Sequence, residues 1–285
     1  MNLLAVIGNP VGHSLSPQIH QMFADQIGMS VTYQKVQAPL DGFAEASAKL
    51  LDQGAVGFNI TVPFKFEACD LADRLSQYAS RAQAVNTIKR ERSGLLSGHN
   101  TDGLGLVRDM TENLAWSIEG KQILVLGAGG AVSGILEPIL EQGPSSIHIV
   151  NRTHAKAVAL AEKYSGKIQA VKPSELSANY DLVISGSSAG LPMAGESAQE
   201  MPIPKQIIGE HTFCYDLIYS KTETPFLSLC RDLGAKERAD GLGMLVEQAA
   251  LAFEIWFGKR PDSASVINKL RGGHMNDEPE NPDLT

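Results

Sequence analysis

The stretch Ile123-Leu-Val-Leu-Gly-Ala-Gly-Gly-Ala131 decides the fold of this chain. Its four leading apolar residues predict a buried strand, and the glycines after them lead into a helix predicted over 131–142. Glycines at such a junction permit a tight turn and let backbone N–H groups approach a ligand, while the helix N-terminus adds partial positive charge. The stretch predicts a pyrophosphate site, although glycines of this kind also occur in ordinary strand-to-helix turns.

A second β-rich run, Ser146-Ile-His-Ile-Val150, ends at Asn151, Arg152 and Thr153. In a dinucleotide-binding fold the residue that contacts the adenine ribose lies here, roughly 20 residues after the glycines, and an NAD site has Asp or Glu there. Arg152 can instead bind a 2′-phosphate that a carboxylate would repel, and Lys156 follows closely. The sequence therefore favours NADP(H), with a solvated surface arginine as the alternative.

Length and composition narrow the class of protein. The 285 residues predict about two domains, and 43% hydrophobic with 20% charged residues are typical of a globular chain. A net charge of −8 disfavours binding to nucleic acid or an anionic membrane. No apolar run suits a membrane span, and the N-terminus lacks the features of a signal peptide. The three cysteines are widely spaced, which predicts no disulfide framework, no metal site and a cytoplasmic location.

Strand and helix patterns alternate along the chain, which predicts an α/β fold with parallel sheets. A helix over 103–114 is expected to bridge two domains, and the acidic, apolar-poor tail 271–285 is expected to be disordered. The other predicted strands are 3–7, 31–36, 56–62, 85–89, 95–96, 123–126, 146–150, 168–171, 181–185 and 212–217, and the other helices are 17–26, 42–51, 131–142, 155–163, 243–257 and 263–270.

Two hydroxyls precede the first predicted helix, which begins near Pro17. Ser14 and Ser16 could present O–H donors to an anion beside the N–H groups of the helix terminus. Serine is also a common helix N-cap, so a purely structural role of Ser16 is the alternative at this point.

A second polar cluster lies at the end of the strand predicted over 56–62. Asn59 and Thr61 share one strand face because side chains alternate with a period of two. Lys65 follows Pro63 and is predicted at the start of the next helix, where a cation is electrostatically disfavoured. That position indicates a function for the lysine, with an ordinary exposed lysine as the alternative.

Further polar residues occupy the ends of later predicted elements. Asn86 lies in a short strand, and Asp102 precedes the bridging helix, for which it could be a simple N-cap. Tyr219 follows a strand, and Gln248 is a polar residue in an otherwise apolar helix, where a hydrogen-bonded core amide is the alternative.

Together these clusters resemble the shikimate dehydrogenase family from about Leu3 to Leu270. The resemblance is carried by GNPVGHSLSPQIH (8–20), GFNITVPFK (57–65), AVNT (84–87), HNTDGLG (99–105), GAGGA (127–131), NRT (151–153), YDLIY (215–219) and DGLGMLVEQA (240–249). One departure is Ser185-Gly186-Ser187, where the family usually has Asn-Ala-Thr in a segment that faces the cofactor.

The resemblance implies a two-domain fold: a discontinuous α/β substrate domain, residues 1–101 with 240–270, and an inserted Rossmann-type doubly wound parallel sheet, residues 102–239. The active cleft lies between them. The implied reaction is the reversible NADPH-dependent reduction of 3-dehydroshikimate to shikimate, on the route to chorismate and the aromatic amino acids, by a monomer or homodimer without a metal ion.

The resemblance also implies a role for each matched residue. Lys65 and Asp102 would form the catalytic pair, and Met244 and the Gly241 backbone would lie near the nicotinamide. The substrate carboxylate would be bound by Ser14, Ser16, Thr61 and Tyr219, and the ring hydroxyls by Asn59, Asn86, Asp102 and Gln248. The cofactor phosphates would be bound by Gly127, Ala128, Gly129, Gly130, Ala131, Asn151, Arg152, Thr153 and Lys156.

Two other functions stay open. A quinate/shikimate dehydrogenase that also accepts NAD would be expected to have an acid near Thr153, and the first acid after Asn151 is Glu162. A non-catalytic NADP(H) sensor would need neither Lys65 nor Asp102, so the presence of both favours an enzyme.

Overall fold

The computed structural model describes residues 2–176, 180–186, 204–235 and 237–273. Within these ranges the strands form two six-stranded sheets. The first sheet contains only strands from the first hundred residues, and the second contains only strands that follow Lys121. The structure thus has the α/β architecture that the alternating pattern predicts.

The first sheet is mixed. Its strands are β1 (Asn2–Gly8), β2 (Val31–Gln37), β3 (Gly57–Ile60), β4 (Arg74–Leu75), β5 (Thr87–Arg90) and β6 (Leu96–His99). The order across the sheet is β2-β1-β3-β5-β6-β4, and β5 is antiparallel to both of its neighbours while the other pairs are parallel. Because β1 and β3 are parallel neighbours, the polar residues that follow them emerge at the same edge of the sheet.

Helices cover both faces of this sheet. They are α1 (Ser16–Ile27), α2 (Phe43–Asp52), α3 (Glu67–Leu71) and α4 (Gln77–Ala82), together with the later α9 (Leu242–Phe257) and α10 (Ser263–Gly273). Leu4, Phe23 and Phe253 share one apolar cluster, so a helix from the end of the chain completes the core begun by the first strand. Apolar burial of this kind is the main force that joins the two chain ends.

The second sheet is parallel throughout. Its strands are β7 (Gln122–Leu126), β8 (Ser146–Val150), β9 (Ile168–Ala170), β10 (Leu182–Ser185), β11 (Phe213–Asp216) and β12 (Glu237–Ala239), in the order β12-β11-β10-β7-β8-β9. This is the doubly wound dinucleotide-binding order, in which the strand order reverses between β7 and β10. Five strands were predicted, and the edge strand β12 is an addition.

Helices α6 (Gly130–Glu141), α7 (His154–Ala161) and α8 (Pro225–Asp232) accompany this sheet. Strand β7 is buried on both faces: Ile123 and Val125 lie in one apolar cluster, and Leu124 and Leu126 in the other. The uninterrupted apolar run that opens the Gly-rich stretch is explained by this double burial.

One helix connects the two halves. Helix α5 (Asp102–Arg108) continues as a π-helical turn over Asp109–Asn113 and packs against both α6 and α9. A Cβ on Gly103 would lie 2.5 Å from the Gly134 carbonyl oxygen, and one on Gly105 would lie 2.7 Å from the Gln248 backbone nitrogen. Glycine is required at both positions because the neighbouring helix backbones come so close.

Several sequence predictions need correction. Lys65 lies in a turn two residues before α3, so its predicted position at the start of that helix is wrong. The predicted strand 56–62 ends at Ile60, and α10 continues to Gly273, so the chain is helical for the first three residues of the predicted tail. The rest of that prediction, residues 274–285, lies outside the described ranges. The helix expected after Pro63 corresponds to α3, whereas α4, α8, β4 and β12 were not predicted.

In the described part of the chain, no helix has the length and apolar character needed to cross a membrane.

Candidate active site

A cavity of about 340 Å³ opens where the carboxyl ends of β1, β3, β7, β10 and β11 converge. Most of the predicted site residues line it: Ser14, Ser16, Asn59, Thr61, Lys65, Asn86, Asp102, Ala131, Tyr219, Gly241, Met244 and Gln248. Gly186 also contributes to the wall, while its predicted neighbour Ser187 lies outside the described residues. Residues distant in the sequence thus meet at the strand ends, where open α/β sheets bind ligands.

Lys65 and Asp102 form an ion pair in this cavity. The lysine Nζ lies 2.5 Å from Asp102 Oδ2, and the two side chains are 12% and 7% exposed. The turn carrying Lys65 is fixed by the fully buried ring of Phe64 and by a hydrogen bond from the Val85 amide to the Lys65 carbonyl. The ion pair therefore presents the Lys65 ammonium group to the cavity as a hydrogen-bond donor held in place by Asp102.

Asp102 is not an N-cap. Thr101 occupies the N-cap position of α5, and neither its side chain nor that of Asp102 caps the helix. The carboxylate instead points to Lys65 and to Asn86, whose Nδ2 donates to Asp102 Oδ1 at 2.8 Å. The simple capping role that the sequence left open is excluded.

Asn86 is the centre of a buried polar network. Its Nδ2 lies 2.9 Å from Thr101 Oγ1 and 3.3 Å from Gln248 Oε1, and its Oδ1 accepts from the Thr101 amide at 2.9 Å. Gln248 in turn donates from Nε2 to the Leu245 carbonyl at 2.8 Å. Asn86, which immediately precedes β5, therefore connects that strand to α5 and α9, and Gln248 is a hydrogen-bonded amide that also lines the cavity.

The two serines meet at the start of α1. Ser14 Oγ lies 3.1 Å from Ser16 Oγ and accepts from the Ser16 amide at 3.2 Å. Leu15 is the N-cap residue and Ser16 is already helical, without a side-chain cap, so the N-cap role of Ser16 is excluded. Two hydroxyls beside a helix N-terminus suit an anionic ligand.

Thr61 and Tyr219 lie in the same cavity. Thr61 is held beside β1 because its amide donates to the Ile7 carbonyl at 2.9 Å, and its methyl group lies over Gly8, where an added Cβ would come within 2.3 Å. Burial raises the pKa of the Tyr219 hydroxyl, against a smaller effect of the Leu15 backbone, so this group stays a neutral donor.

Asn59 is fixed by three hydrogen bonds. Its Nδ2 donates to Thr87 Oγ1 at 2.9 Å and to the Asn86 carbonyl at 3.2 Å. Its Oδ1 accepts from the hydroxyl of Tyr33 at 2.7 Å. Tyr33 was not predicted from the sequence, and it lies outside the cavity wall.

The Gly-rich loop emerges from β7 beside the same cavity. Gly127 has φ 110°, which favours glycine, and Gly129 is the N-cap of α6 with no side-chain cap on the helix. A Cβ on Gly129 would meet nothing within 4 Å, so a ligand can approach the backbone there. The uncapped N–H groups of α6 and the open loop fit a pyrophosphate.

The residues after β8 form a separate group. Asn151 Nδ2 donates to the Thr153 carbonyl at 2.9 Å, Thr153 is the N-cap of α7, and Arg152 and Lys156 are exposed. None of these four residues lines the cavity with the substrate candidates. They lie at the carboxyl end of the strand next to β7, which is where a dinucleotide fold places the adenosine end.

The start of α9 is held by a second unpredicted network. Tyr215 donates from its hydroxyl to Asp109 Oδ2 at 2.7 Å and accepts from the Met244 amide at 3.3 Å. Gly241 also packs tightly, since a Cβ there would lie 2.3 Å from the Leu217 carbonyl oxygen. Burial raises the pKa of Asp109, with Tyr215 and Asn113 opposing the shift. These contacts fix two of the cavity residues at this helix start, Gly241 and Met244.

Comparison with known proteins identifies the same segments. Residues 6–88 match the shikimate dehydrogenase substrate binding domain, residues 109–218 match the shikimate/quinate 5-dehydrogenase family, and residues 241–271 match the shikimate 5′-dehydrogenase C-terminal domain.

Individual relatives match over nearly the whole chain. The NADP(+) shikimate dehydrogenase of Hahella chejuensis is 47% identical over 96% of this chain and 100% of its own length. That of Alkalilimnicola ehrlichii is 48% identical over 94% of this chain and 97% of its own. The shikimate 5-dehydrogenase of Thermus thermophilus, solved in complex with NADP(H) and shikimate, is 32% identical with a TM-score of 0.83, over 95% of this chain and 99% of that one. By these matches, and with the cavity that its motifs assemble, the chain belongs to the shikimate dehydrogenase family.

Proposed function

We propose that this protein catalyses the reversible reduction of 3-dehydroshikimate to shikimate with NADPH. The observation that carries the proposal is the Lys65–Asp102 ion pair, which faces a cavity beside the Gly-rich loop. A charged lysine at that place is what a ketone reductase needs, because negative charge develops on the carbonyl oxygen during the reaction. Family membership supports the same reaction.

In this mechanism NADPH, when bound, would supply the hydride for reduction of the C3 ketone. Lys65 donates a hydrogen bond to the carbonyl oxygen, stabilises its developing charge and provides the proton. Asp102 holds the lysine in place through the 2.5 Å contact, and Asn86 in turn holds Asp102. In the reverse direction the same pair accepts the proton from the substrate hydroxyl.

The substrate roles follow from the chemistry of each cavity region. Ser14 and Ser16 are proposed to bind the carboxylate beside the N-terminus of α1, with Thr61 and Tyr219 as further donors. Asn59, Asn86, Asp102 and Gln248 are proposed to bind ring hydroxyls. The neutral donors discriminate by geometry and avoid an unpaired buried cation between turnovers.

The cofactor is proposed to extend from the cavity to the end of β8. The pyrophosphate would lie on Gly127, Ala128, Gly129, Gly130 and Ala131, and the nicotinamide near Gly241 and Met244. Asn151, Arg152, Thr153 and Lys156 would bind the adenosine phosphate. The absence of an acid in this segment before Glu162 supports NADP(H) over NAD.

We further propose that residues 1–101 with 240–270 form the substrate domain and residues 102–239 the cofactor domain. The separate sheets and the apolar cluster shared by α1 and α9 support this division. A cytoplasmic location is proposed because all three cysteines are free thiols. The protein is proposed to be a monomer or a homodimer, which light scattering after size exclusion would distinguish.

Initial rates of the purified protein test the proposed function. Four combinations are compared, NADP+ or NAD+ with shikimate or quinate, and we expect the NADP+ and shikimate combination to be much the fastest. Comparable rates with NAD+ and with quinate would instead identify a quinate/shikimate dehydrogenase. Binding of NADPH without any turnover would identify a sensor.

A further inference from the structure

The hydroxyl of Tyr33 contacts the cavity residue Asn59 across strand β1. Tyr33 lies on the edge strand β2, where it pairs with Leu4 of β1, and Asn59 lies on β3 on the other side of β1. Its side chain spans β1 so that its hydroxyl is 2.7 Å from Asn59 Oδ1. Its hydroxyl is thus in direct contact with a side chain that lines the cavity.

Three hydrogen bonds to described residues use all but one of the donor and acceptor positions of the Asn59 amide. Its two Nδ2 hydrogens face Thr87 Oγ1 and the Asn86 carbonyl oxygen. Oδ1 has two acceptor positions, and the Tyr33 hydroxyl occupies one of them. What Asn59 retains for a ligand in the cavity is therefore one acceptor position on Oδ1, which suits a hydroxyl donor.

The contacts of Nδ2 and of Oδ1 both oppose a 180° rotation of the Asn59 amide. The Asn86 carbonyl can only accept, so Nδ2 must face it. Burial raises the pKa of the Tyr33 hydroxyl, against a smaller effect of Ser16, so this group stays protonated and can donate to Oδ1. Tyr33 therefore also lies between Ser16, on the carboxylate side of the cavity, and Asn59.

The ring of Tyr33 is held by stacking. The imidazole of His20 lies parallel to it, with the ring centroids 4.6 Å apart and an interplanar angle of 9°. His20 is fully buried, and in the described structure neither ring nitrogen has a partner in hydrogen-bond geometry. Burial lowers the pKa of His20 to about 3, against an opposing effect of the nearby Asn59, so the imidazole is neutral and acts as a flat packing surface. Removing only the tyrosine hydroxyl would leave this stack in place.

We propose that Tyr33 is a positioning residue whose hydroxyl fixes the amide of Asn59, so that Asn59 Oδ1 accepts a hydrogen bond from a ring hydroxyl of the substrate. This inference rests on the proposed shikimate dehydrogenase activity. It adds a residue that determines which hydroxyl pattern the cavity accepts, without contact with the substrate itself.

Tyr33→Phe tests the proposal through a split between kinetic constants. The loss of one buried hydrogen bond predicts about a tenfold rise in the KM for shikimate. The KM for NADP+ and kcat should stay within about twofold, because neither the cofactor region nor Lys65 is touched. Tyr164→Phe is the matched control, since it removes a buried hydroxyl that has no hydrogen-bond partner in the described structure. A Tyr33→Phe enzyme with an unchanged KM for shikimate would overturn the proposal.

A double-mutant cycle separates positioning from a general packing defect. If Tyr33 acts through Asn59, adding Tyr33→Phe to Asn59→Ala should not raise the KM for shikimate further. Multiplied effects would show that Tyr33 acts independently of Asn59, against the proposal. If the wild-type protein does not oxidise shikimate at all, the proposed function fails rather than this inference.

A crystal structure of the wild-type protein with shikimate gives a readout that needs no variant. We expect a substrate hydroxyl within hydrogen-bond distance of Asn59 Oδ1, the Tyr33 contact retained, and no contact between Tyr33 and the ligand. A ligand bound by Tyr33 itself, or by Asn59 Nδ2, would contradict the proposal.

Discussion

At the scale of single residues, Asn86 links the catalytic candidates to the rest of the cavity. It donates to Asp102 Oδ1 and lies within 3.3 Å of Gln248 Oε1, so it joins the acid of the ion pair to a helix from the far end of the chain. Among the described residues, Asp102 is the one hydrogen-bond partner of Lys65 Nζ, at 2.5 Å. The Asp102 carboxylate thus has a second partner in Asn86 besides the lysine.

Replacing Lys65 should abolish turnover but not substrate binding. In Lys65→Ala we expect kcat to fall by about 10²–10⁴-fold, because both charge stabilisation and the proton donor are lost. The dissociation constant for shikimate, measured by calorimetry, should change little since other residues bind the ring and the carboxylate. Lys89→Ala is the control, as its ammonium pairs with Glu91 on the surface. Near-normal kcat in Lys65→Ala would refute the assignment.

The sequence was sufficient to predict most residues that line the cavity, but not Tyr33, which contacts one of them. Lys65, Asp102 and the serines stand in contiguous motifs, so their proximity to strand ends could be read from local pattern. Tyr33 is an ordinary residue of a β-rich run, and its contact with Asn59 depends on the order β2-β1-β3, which periodicity does not encode. Tyr215 and Asp109 were missed for the same reason, because their contact joins a strand to a helix 106 positions away.

At the scale of elements, most of the strands and helices that were not predicted are short or lack a hydrophobic period. Strand β12 was missed because Glu237-Arg-Ala239 has no apolar alternation, and β4 is only two residues long. Helix α4 is shorter than two turns, too short for a helical period to appear, and the similarly short α3 was indicated only by the helix start expected near Lys65. For α8 a signal existed, since Thr224 caps it and Pro225 opens it.

Helix α5 should not tolerate a side chain on its α9 side. In Gly105→Ala the new Cβ would approach the Gln248 backbone nitrogen to 2.7 Å, so one helix must move. We expect a loss of about 1–3 kcal/mol in the free energy of unfolding and a reduced kcat, because Asp102 and Gln248 lie on these two helices. Denaturant titration and initial rates measure the two effects.

The control for that substitution is Gly272→Ala. Gly272 is also helical, and a Cβ there would meet nothing within 4 Å. It should leave the rate unchanged and the stability unchanged or slightly higher, because alanine favours a helix more than glycine does. Equal stability of wild type and Gly105→Ala would contradict the close approach of α5 and α9.

The buried carboxyl group of Asp216, the last residue of β11, should make the free energy of unfolding depend on pH. Burial raises the pKa of Asp216 to about 6, with the Thr224 hydroxyl, at 2.6 Å from Oδ2, opposing the shift. Because the folded-state pKa exceeds the unfolded value, the stabilisation from the protonated acid is full below about pH 4 and is lost as pH rises to about 6. Relative to Asp216→Asn, the wild type should lose on the order of 2 kcal/mol between about pH 4 and pH 7.

Urea unfolding of both proteins across this pH range measures the difference. The asparagine variant keeps the shape of the side chain but does not titrate, so subtracting its profile removes the contributions of other acids. Parallel pH profiles for the two proteins would show that Asp216 is not perturbed by folding.

At the scale of the whole molecule, the cavity exists because two sheets meet at their strand ends. Besides α5, contacts between α4 and α6 hold the halves together: Ser133 Oγ donates to the Ala82 carbonyl at 2.7 Å, and Arg81 pairs with Glu137 at 3.2 Å. Lys65 from one half also lies against Gly130 of the other, with 3.5 Å to an added Cβ. The proposed proton donor and the proposed cofactor loop are thus adjacent across the junction, which is consistent with reduction of a ketone at this place.

Isotope transfer tests this central claim most directly. The purified protein is incubated with 3-dehydroshikimate and NADPH that carries deuterium at both C4 positions, and the product is examined by mass spectrometry and NMR. We predict shikimate with one deuterium at C3, since the hydride comes from the nicotinamide while Lys65 supplies an exchangeable proton to oxygen. Shikimate without deuterium, or no conversion by an enzyme that binds both compounds, would contradict the account.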